Sequence, residues 1–450
     1  MIVWILLVIV GVRLCGVLGS VDPEFEHHLC TKTPYRVIQN PDVSEVRYKG
    51  CTPKKLWYVI RHGTRTPGED VASLMRSRLF DIRDLIVKNK NCTRYSDFAA
   101  WKPHIELDGK KRLTREGESE MTFLAQRLRK RFPKILSKTW NNSTFSFRFT
   151  HTSRTEASAH FFSRGLFDDG VADVWYPQPL KKDPILRFYK LCQKWRVEIK
   201  KNPQSLIELE AFLRSDLFST VVTNITERFN LPDGELSVAD VHLIYTTCCF
   251  ETAWDKTELS PWCSVLSRQE FEILEYAEDL EYYWTDGYGY ELTTQMGCVM
   301  LNDVFNFFRS KSESEASFYF THSGAILKFL SHLGLYQDSV KLRHDNLNIQ
   351  RLWKTSLIDA FASNIAFVLF DCSGIDQVLT LHQEKPVILP GCPANQDLCP
   401  LSVIERIYEK SRVQCDFEEM CHASEKKSVY DSVVSTMWLA YDSLKLLYFR

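Results

Sequence analysis

The sequence predicts an α/β domain whose sheet is assembled from both ends of the chain around an inserted, mainly helical segment. Three observations carry that expectation. Short apolar runs lead directly into helix-like stretches near both ends of the chain. Between about residues 180 and 290 the texture is helical, with few strand-like runs. Of 450 residues, 44% are hydrophobic and 13% aromatic, which is ample for a large buried core.

Taken in order, the chain begins MIVWILLVIVGVRLCGVLGS. The apolar run 2–12 is too short to span a bilayer, and residues 17–19 offer small side chains for cleavage before Ser20. Residues 1–19 are therefore expected to be a signal peptide, although its start carries no lysine or arginine and Arg13 interrupts its tail. Residues 56–60 (LWYVI) form an apolar strand. Residues 113–132 open with Thr114 as an N-cap and run on as an amphipathic helix. Residues 145–150 alternate like a strand and 157–167 are helix-like. Residues 181–289 are expected to be a helical cap insertion in which only 241–245 (VHLIY) looks like a strand. Strands return at 318–321, 364–372 and 377–382. Residues 20–180 and 290–450 would then make one α/β domain around the cap. The ending 433–449 is fairly apolar, but Asp442 and Lys445 argue against a lipid-anchor signal, and the last four residues lack a KDEL-like address.

The formal net charge is −1, so no overall basic field points to nucleic acid or an anionic membrane, and any anion site must be local. Cysteine usage points to an oxidising compartment. Fourteen cysteines become thirteen once Cys15 leaves with the signal, an odd number that leaves a thiol free or paired between chains. Cys392, Cys399, Cys415 and Cys421 lie in loop-like sequence and are read as disulfide partners. Zinc is disfavoured, since no CxxC pairs or spaced histidines accompany them. Sequons at Asn91, Asn141, Asn142 and Asn224 fit glycosylation.

The sharpest stretch is residues 56–70, LWYVIRHGTRTPGED, where a strand runs into Arg61, His62, Gly63, Thr64, Arg65, Thr66 and Pro67. Singly, each has an ordinary explanation. Two arginines bracketing a histidine at a strand end, beside a glycine and a proline, suit phosphoryl transfer. An imidazole nitrogen can attack phosphorus and hold the group covalently. Guanidinium forks match phosphate oxygens and stabilise the charge of the transferring group. A second strand end, THTSRTEASAHFFSRG at 150–165, supplies Arg154, which alone would be read as a surface arginine. A third, FYFTHSGAILKFL at 318–330, sets His322 at a strand-to-helix junction, where α/β proteins bind anions.

RHGTRTP resembles the RHGxRxP signature of the histidine acid phosphatases, the second branch of the histidine phosphatase superfamily. TSRTEASAHFF is similar to their second arginine segment. Residues 260–290, SPWCSVLSRQEFEILEYAEDLEYYWTDGYGY, resemble the multiple inositol polyphosphate phosphatases, as do NIAFVLFDC and PGCPANQDLCPLSVIERI. The resemblance covers most of the mature chain. It implies a phosphoglycerate-mutase-like sheet flanked by helices and a secreted or endoplasmic-reticulum-lumenal phosphomonoesterase acting on inositol polyphosphates. It implies His62 as the nucleophile of a phosphohistidine intermediate, with Arg61, Arg65, Arg154 and His322 binding the phosphoryl group. No metal or other cofactor is implied, and no nucleic acid or stable membrane insertion. In the family the later histidine is followed by an acid that protonates the leaving alcohol, as His-Asp in many members and His-Ala-Glu in the inositol polyphosphate branch.

Here that triplet is His322-Ser323-Gly324, and both acid positions are empty. A positioned general acid contributes ~10²–10⁴-fold, so the departure bears on the rate for alkyl esters. Nothing in residues 325–330 can substitute, and Glu69 and Asp70, the nearest acids in sequence to the nucleophile, read as solvated loop residues. The alternative expectation is a phosphate- or inositol-phosphate-binding protein that has lost turnover. A phosphoglycerate mutase is disfavoured by the signal, the insertion and the cysteines.

Overall fold

Alternation along residues 51–61 organises the molecule. In the computed structural model, which describes residues 24–89, 95–136 and 139–423, strand β1 (Cys51–Arg61) sends Trp57 and Val59 into one buried core. Leu56, Tyr58 and Ile60 go into another on the opposite face. A strand's two-residue period gives this result when both faces of the sheet are covered.

Six further strands complete the sheet: β2 (Phe145–Phe149), β3 (Ala316–Thr321), β4 (Asn364–Cys372), β5 (Ile375–His382), β6 (Lys385–Pro386) and β7 (Leu398–Pro400). The order is β2-β3-β1-β4-β5-β6, with β7 also paired to β5. β1 and β2 run parallel to β3, whereas β4 is antiparallel to β1 and β5 to β4. Parallel neighbours need crossovers, and helices supply them. Helix α1 (Arg115–Arg131) lies between β1 and β2, and α2 (Ser153–Phe167) follows β2. The connection from β2 to β3 is long and helical; it includes α3 (Val238–Trp254), α4 (Arg268–Asp286) and α5 (Cys298–Arg309). Helix α6 (Ser323–His332) leaves β3 directly. The mixed sheet flanked by helices matches the expected fold class.

The expected strands and helices at 56–60, 113–132, 145–150, 157–167, 318–321, 364–372 and 377–382 are all present, with ends moved by a few residues. Thr114 caps α1, its hydroxyl accepting from Gly117 N at 3.3 Å. One expectation is overturned. Residues 241–245 are not a strand; they lie inside α3, which a reciprocal cap between Ser237 and Asp240 starts. Every residue from Asp240 to Trp254 is buried, so the helix carries no polar stripe to betray its period. Glu69 and Asp70 also differ from the reading: they open a helix, Glu69–Arg76.

Among the described residues five disulfides cross-link the fold: Cys51–Cys372, Cys192–Cys421, Cys248–Cys263, Cys298–Cys415 and Cys392–Cys399. All four cysteines singled out in the sequence are bridged, but Cys415 and Cys421 pair with Cys298 and Cys192, not with each other. Cys30 and Cys249 are buried free thiols. Among the described residues no helix is long and apolar enough to cross a membrane. The signal at 1–19, the apolar ending 433–449, Cys92 and the Asn91 sequon lie outside the described residues.

Candidate active site

Strand register brings the three motif segments to one edge of the sheet. Arg61 is opposite Thr321, the last residue of β3, and Phe149 is opposite Phe320. Beyond those pairs, His62 N donates to Thr321 O at 3.1 Å and Thr150 N donates to Phe320 O at 3.2 Å. His62, His322 and the turn before Arg154 therefore emerge side by side, where parallel strands end and α2 and α6 begin.

His62 is 3% exposed and its ring lies 5.5 Å from that of His322. Its Nδ1 faces Gly63 O at 3.0 Å. A carbonyl can only accept, so Nδ1 carries the proton and the lone pair sits on Nε2. His322 is fixed from both sides: Arg154 Nη2 donates to Nδ1 at 3.1 Å, and Nε2 donates to Thr150 Oγ1 at 2.8 Å. Burial first, then the positive charge of Arg154, hold both imidazoles well below their ordinary pKa. The site keeps its histidines neutral.

The loop carrying His62 is held by close backbone approach. A Cβ on Gly63 would lie 2.7 Å from Gly117 O, and one on Gly117 would lie 2.2 Å from Thr64 O, so neither position tolerates a side chain without movement. Buried Glu120 of α1 then accepts from Thr64 N at 2.7 Å, Thr64 Oγ1 at 2.9 Å and Tyr35 N at 2.9 Å. Burial pushes its carboxyl up to about 7. From α3, Trp254 Nε1 donates to Arg65 O at 3.0 Å, and the Arg65 guanidinium lies 5.8 Å from the centre of the Phe250 ring.

The cations converge, with Asp359 beside Arg61 as a partial counter-charge. Arg61 is 3% exposed and donates from Nη1 to Thr31 O at 2.7 Å and to the carbonyl of Asp359. Arg65 is lowered to about 9 by burial and by Arg154. Arg154 is lowered to about 10 by burial and by Arg187. The Nε atoms of Arg61, Arg65, Arg154 and Arg187 are buried without a hydrogen-bond partner. Guanidiniums pressed together and short of partners favour an anion between them.

All five residues singled out in the sequence, Arg61, His62, Arg65, Arg154 and His322, thus lie in one cluster. Two further members were missed. Arg187 lies in the connection from β2 to β3, and its charge acts on both Arg154 and His322; nothing in ILRFYK marks it. Asp359, just before β4, is wholly buried with its Oδ2 3.6 Å from Arg61 Nη1. Glu69 is exposed and paired with Arg76, away from the cluster. A Cβ on Gly324 would come 3.0 Å from Asp286 Oδ1.

A sequence model of the histidine phosphatase superfamily (branch 2) matches residues 54–386. Multiple inositol polyphosphate phosphatase 1 of Drosophila melanogaster is 31% identical over 400 residues, covering 84% of either chain. The protein of that name from Homo sapiens is 26% identical over 464 residues, 93% of this chain and 94% of its own. Two solved structures share the fold. A phytase from D. castellii matches with a TM-score of 0.75 at 16% identity, over 88% of this chain and 87% of its own. Multiple inositol polyphosphate phosphatase of Bifidobacterium longum, complexed with inositol hexasulfate, matches at 0.65 and 14% identity, over 84% and 96%.

Proposed function

Because the chain belongs to branch 2 of the histidine phosphatase superfamily, we propose that it is a phosphomonoesterase of inositol polyphosphates working through a phosphohistidine at His62. The observation that carries this is the His62 tautomer: Nδ1–H is spent on Gly63 O, which leaves the lone pair on Nε2, and the charges of Arg154, Arg61 and Arg65 act on the ring. The names of the Drosophila and human relatives supply the substrate class.

In the first step Nε2 of His62 attacks phosphorus, the N–P bond forms and the P–O bond to the inositol breaks. Arg61, Arg65 and Arg154 hold the phosphoryl oxygens and offset their charge in the transition state. His322, kept neutral and oriented by Arg154 and Thr150, borders the same phosphate. Water then cleaves the N–P bond and releases phosphate. The protein's own cations do the electrostatic work, so activity should survive chelation. Residues 20–180 and 290–450 form the phosphatase domain in this proposal, with 181–289 as a cap over it. The disulfides favour a secreted or lumenal enzyme.

A second reading is favoured by one observation, the glycine at position 324 where the resembled family carries its acid. It makes the protein an inositol-phosphate binder without turnover. Incubation with radiolabelled inositol hexakisphosphate and an alkaline quench separates the two. Label on the protein that disappears in His62→Ala supports the enzyme. Tight phosphate binding with neither label nor product supports the binder.

A further inference from the structure

The carboxylates around the cluster differ in what they can do. Glu120 is committed to Thr64 and Tyr35. Asp286 is held charged and below the usual carboxylate range: burial opposes this, but the contact with Lys328 outweighs it. Such a group has no proton to give. Asp359 is different. It is fully buried, its Oδ1 has no hydrogen-bond partner, and its Oδ2 meets the hydroxyl of Ser323. Burial pushes its carboxyl up to about 7 despite Arg61, with the charge of Asp286 adding to the rise.

Ser323 directly follows His322 as the first residue of α6 and is half-buried; its hydroxyl meets Asp359 Oδ2, which lies 3.6 Å from Arg61 Nη1. We infer that Ser323 and Asp359 form a two-residue proton relay that serves the leaving oxygen in place of the acid missing at residue 324. The inference rests on the phosphomonoesterase reading and names the group that completes it. In the structure the Ser323 hydroxyl donates to Asp359 Oδ2; once Asp359 is protonated the bond reverses, its carboxyl donating to Ser323 Oγ and the Ser323 O–H turning toward the ester oxygen. As the P–O bond breaks, the Ser323 proton passes to the leaving alkoxide and the Asp359 proton passes to Ser323 Oγ. Asp359 ends as a carboxylate beside Arg61. When water attacks the phosphohistidine, its proton returns along the same path and restores the acid.

The rest of the fold holds the relay still. Asp279 of α4 accepts from Thr355 N at 2.8 Å and Thr355 Oγ1 at 2.6 Å, and Glu275 meets the Ser356 hydroxyl. Those contacts pin the turn Thr355–Ile358 that delivers Asp359. Arg61 binds the Asp359 carbonyl, so the guanidinium that would clamp phosphate also fixes the position of the acid.

The test compares kcat for inositol hexakisphosphate, an alkyl ester that needs the proton, with kcat for nitrophenyl phosphate, whose phenolate leaves unaided. In Ser323→Ala and in Asp359→Asn the ratio of the two should fall by ~10²-fold, within the range of a general acid. The double variant should fall no further than the worse single one, because hydroxyl and carboxyl act in series. Equal losses on both esters in Asp359→Asn would make Asp359 a positioner of Arg61 and overturn the relay. An unchanged ratio in Ser323→Ala would remove the hydroxyl from the path. Should Asp359→Asn fail to fold, Ser323→Ala with rescue of the ratio by Ser323→Thr carries the test alone. Failure of the unsubstituted protein to hydrolyse the aryl ester would instead count against the phosphatase reading itself.

Discussion

His322 accepts a hydrogen bond from Arg154 at 3.1 Å, and that contact joins two segments that the sequence sets 168 residues apart. It makes Arg154, a phosphate ligand in the function proposed above, also the main charge keeping His322 neutral. Arg154→Ala should therefore do two things. Affinity for tungstate should fall by about 1.5–3 kcal/mol, the range for a hydrogen bond to a charged group. The His322 pKa should rise, since the largest opposing charge is gone. Calorimetric titration checks the first and a histidine NMR titration the second. Unchanged affinity would place the Arg154 head group outside the phosphate site.

Arg65 and Arg154 are lowered to about 9 and about 10 because burial first, and then neighbouring guanidiniums (Arg154 and Arg61 for Arg65, Arg187 and Arg61 for Arg154), disfavour their charges. An anion relieves both costs, so the folded protein should gain stability on binding one. Phosphate at 100 times its dissociation constant should add about 2.7 kcal/mol to the unfolding free energy. The midpoint of thermal unfolding should rise accordingly, and chloride at equal ionic strength should not reproduce the rise. Arg65→Ala should shrink the effect while raising the stability of the empty protein.

How legible all this was follows from where each signal sits in the chain. The nucleophile loop could be read because its chemistry is packed into the consecutive residues RHGTRTP. β1, β2 and β3 could be read because each is a short apolar run ending at a polar turn. α3 defeated the same logic: a helix buried on every side has no period, and VHLIY alone is as good a strand as a helix. Asp359 could not be found at all. It meets Arg61 across 298 residues of chain, and an aspartate before a strand has nothing local to distinguish it from a turn residue. Arg187 and the partners of Cys415 and Cys421 were hidden in the same way, since each depends on contacts between segments far apart in the chain.

The depressed pKa of His62 has a consequence for pH. Between its folded value and the ordinary 6.5, the unfolded chain binds a proton that the native protein does not. Stability from this residue is therefore lost as pH falls through that window, and the nucleophile stays neutral within it. Phosphoenzyme formation from nitrophenyl phosphate in single-turnover rapid quench should persist well below pH 6.5, with its acid-side inflection under that value. An inflection at or above 6.5 would mean that burial and the Arg154 and Arg61 charges do not act on the free enzyme as the geometry implies.

The last expectation concerns the backbone contact under the loop. Gly117 lies in the first turn of α1, directly against Thr64, and a Cβ there would sit 2.2 Å from Thr64 O and 2.8 Å from Thr64 N. Both are main-chain atoms and cannot swing away, so Gly117→Ala must push α1 from the loop. That shift would stretch the bonds by which Glu120 holds Thr64, leaving a buried carboxyl poorly paired. Loss of such a partner costs about 1–3 kcal/mol, and the displacement would move His62 relative to the arginines. A misplacement of about 1 Å in a positioned group can cost ~10²-fold in rate. Gly117→Ala should thus lower both the melting temperature and the rate of His62 phosphorylation. Glu120→Gln, which retains an oxygen to accept from Thr64 without moving α1, should lower the rate far less. Equal rates in Gly117→Ala and the unsubstituted protein would show that the loop keeps its geometry without the helix.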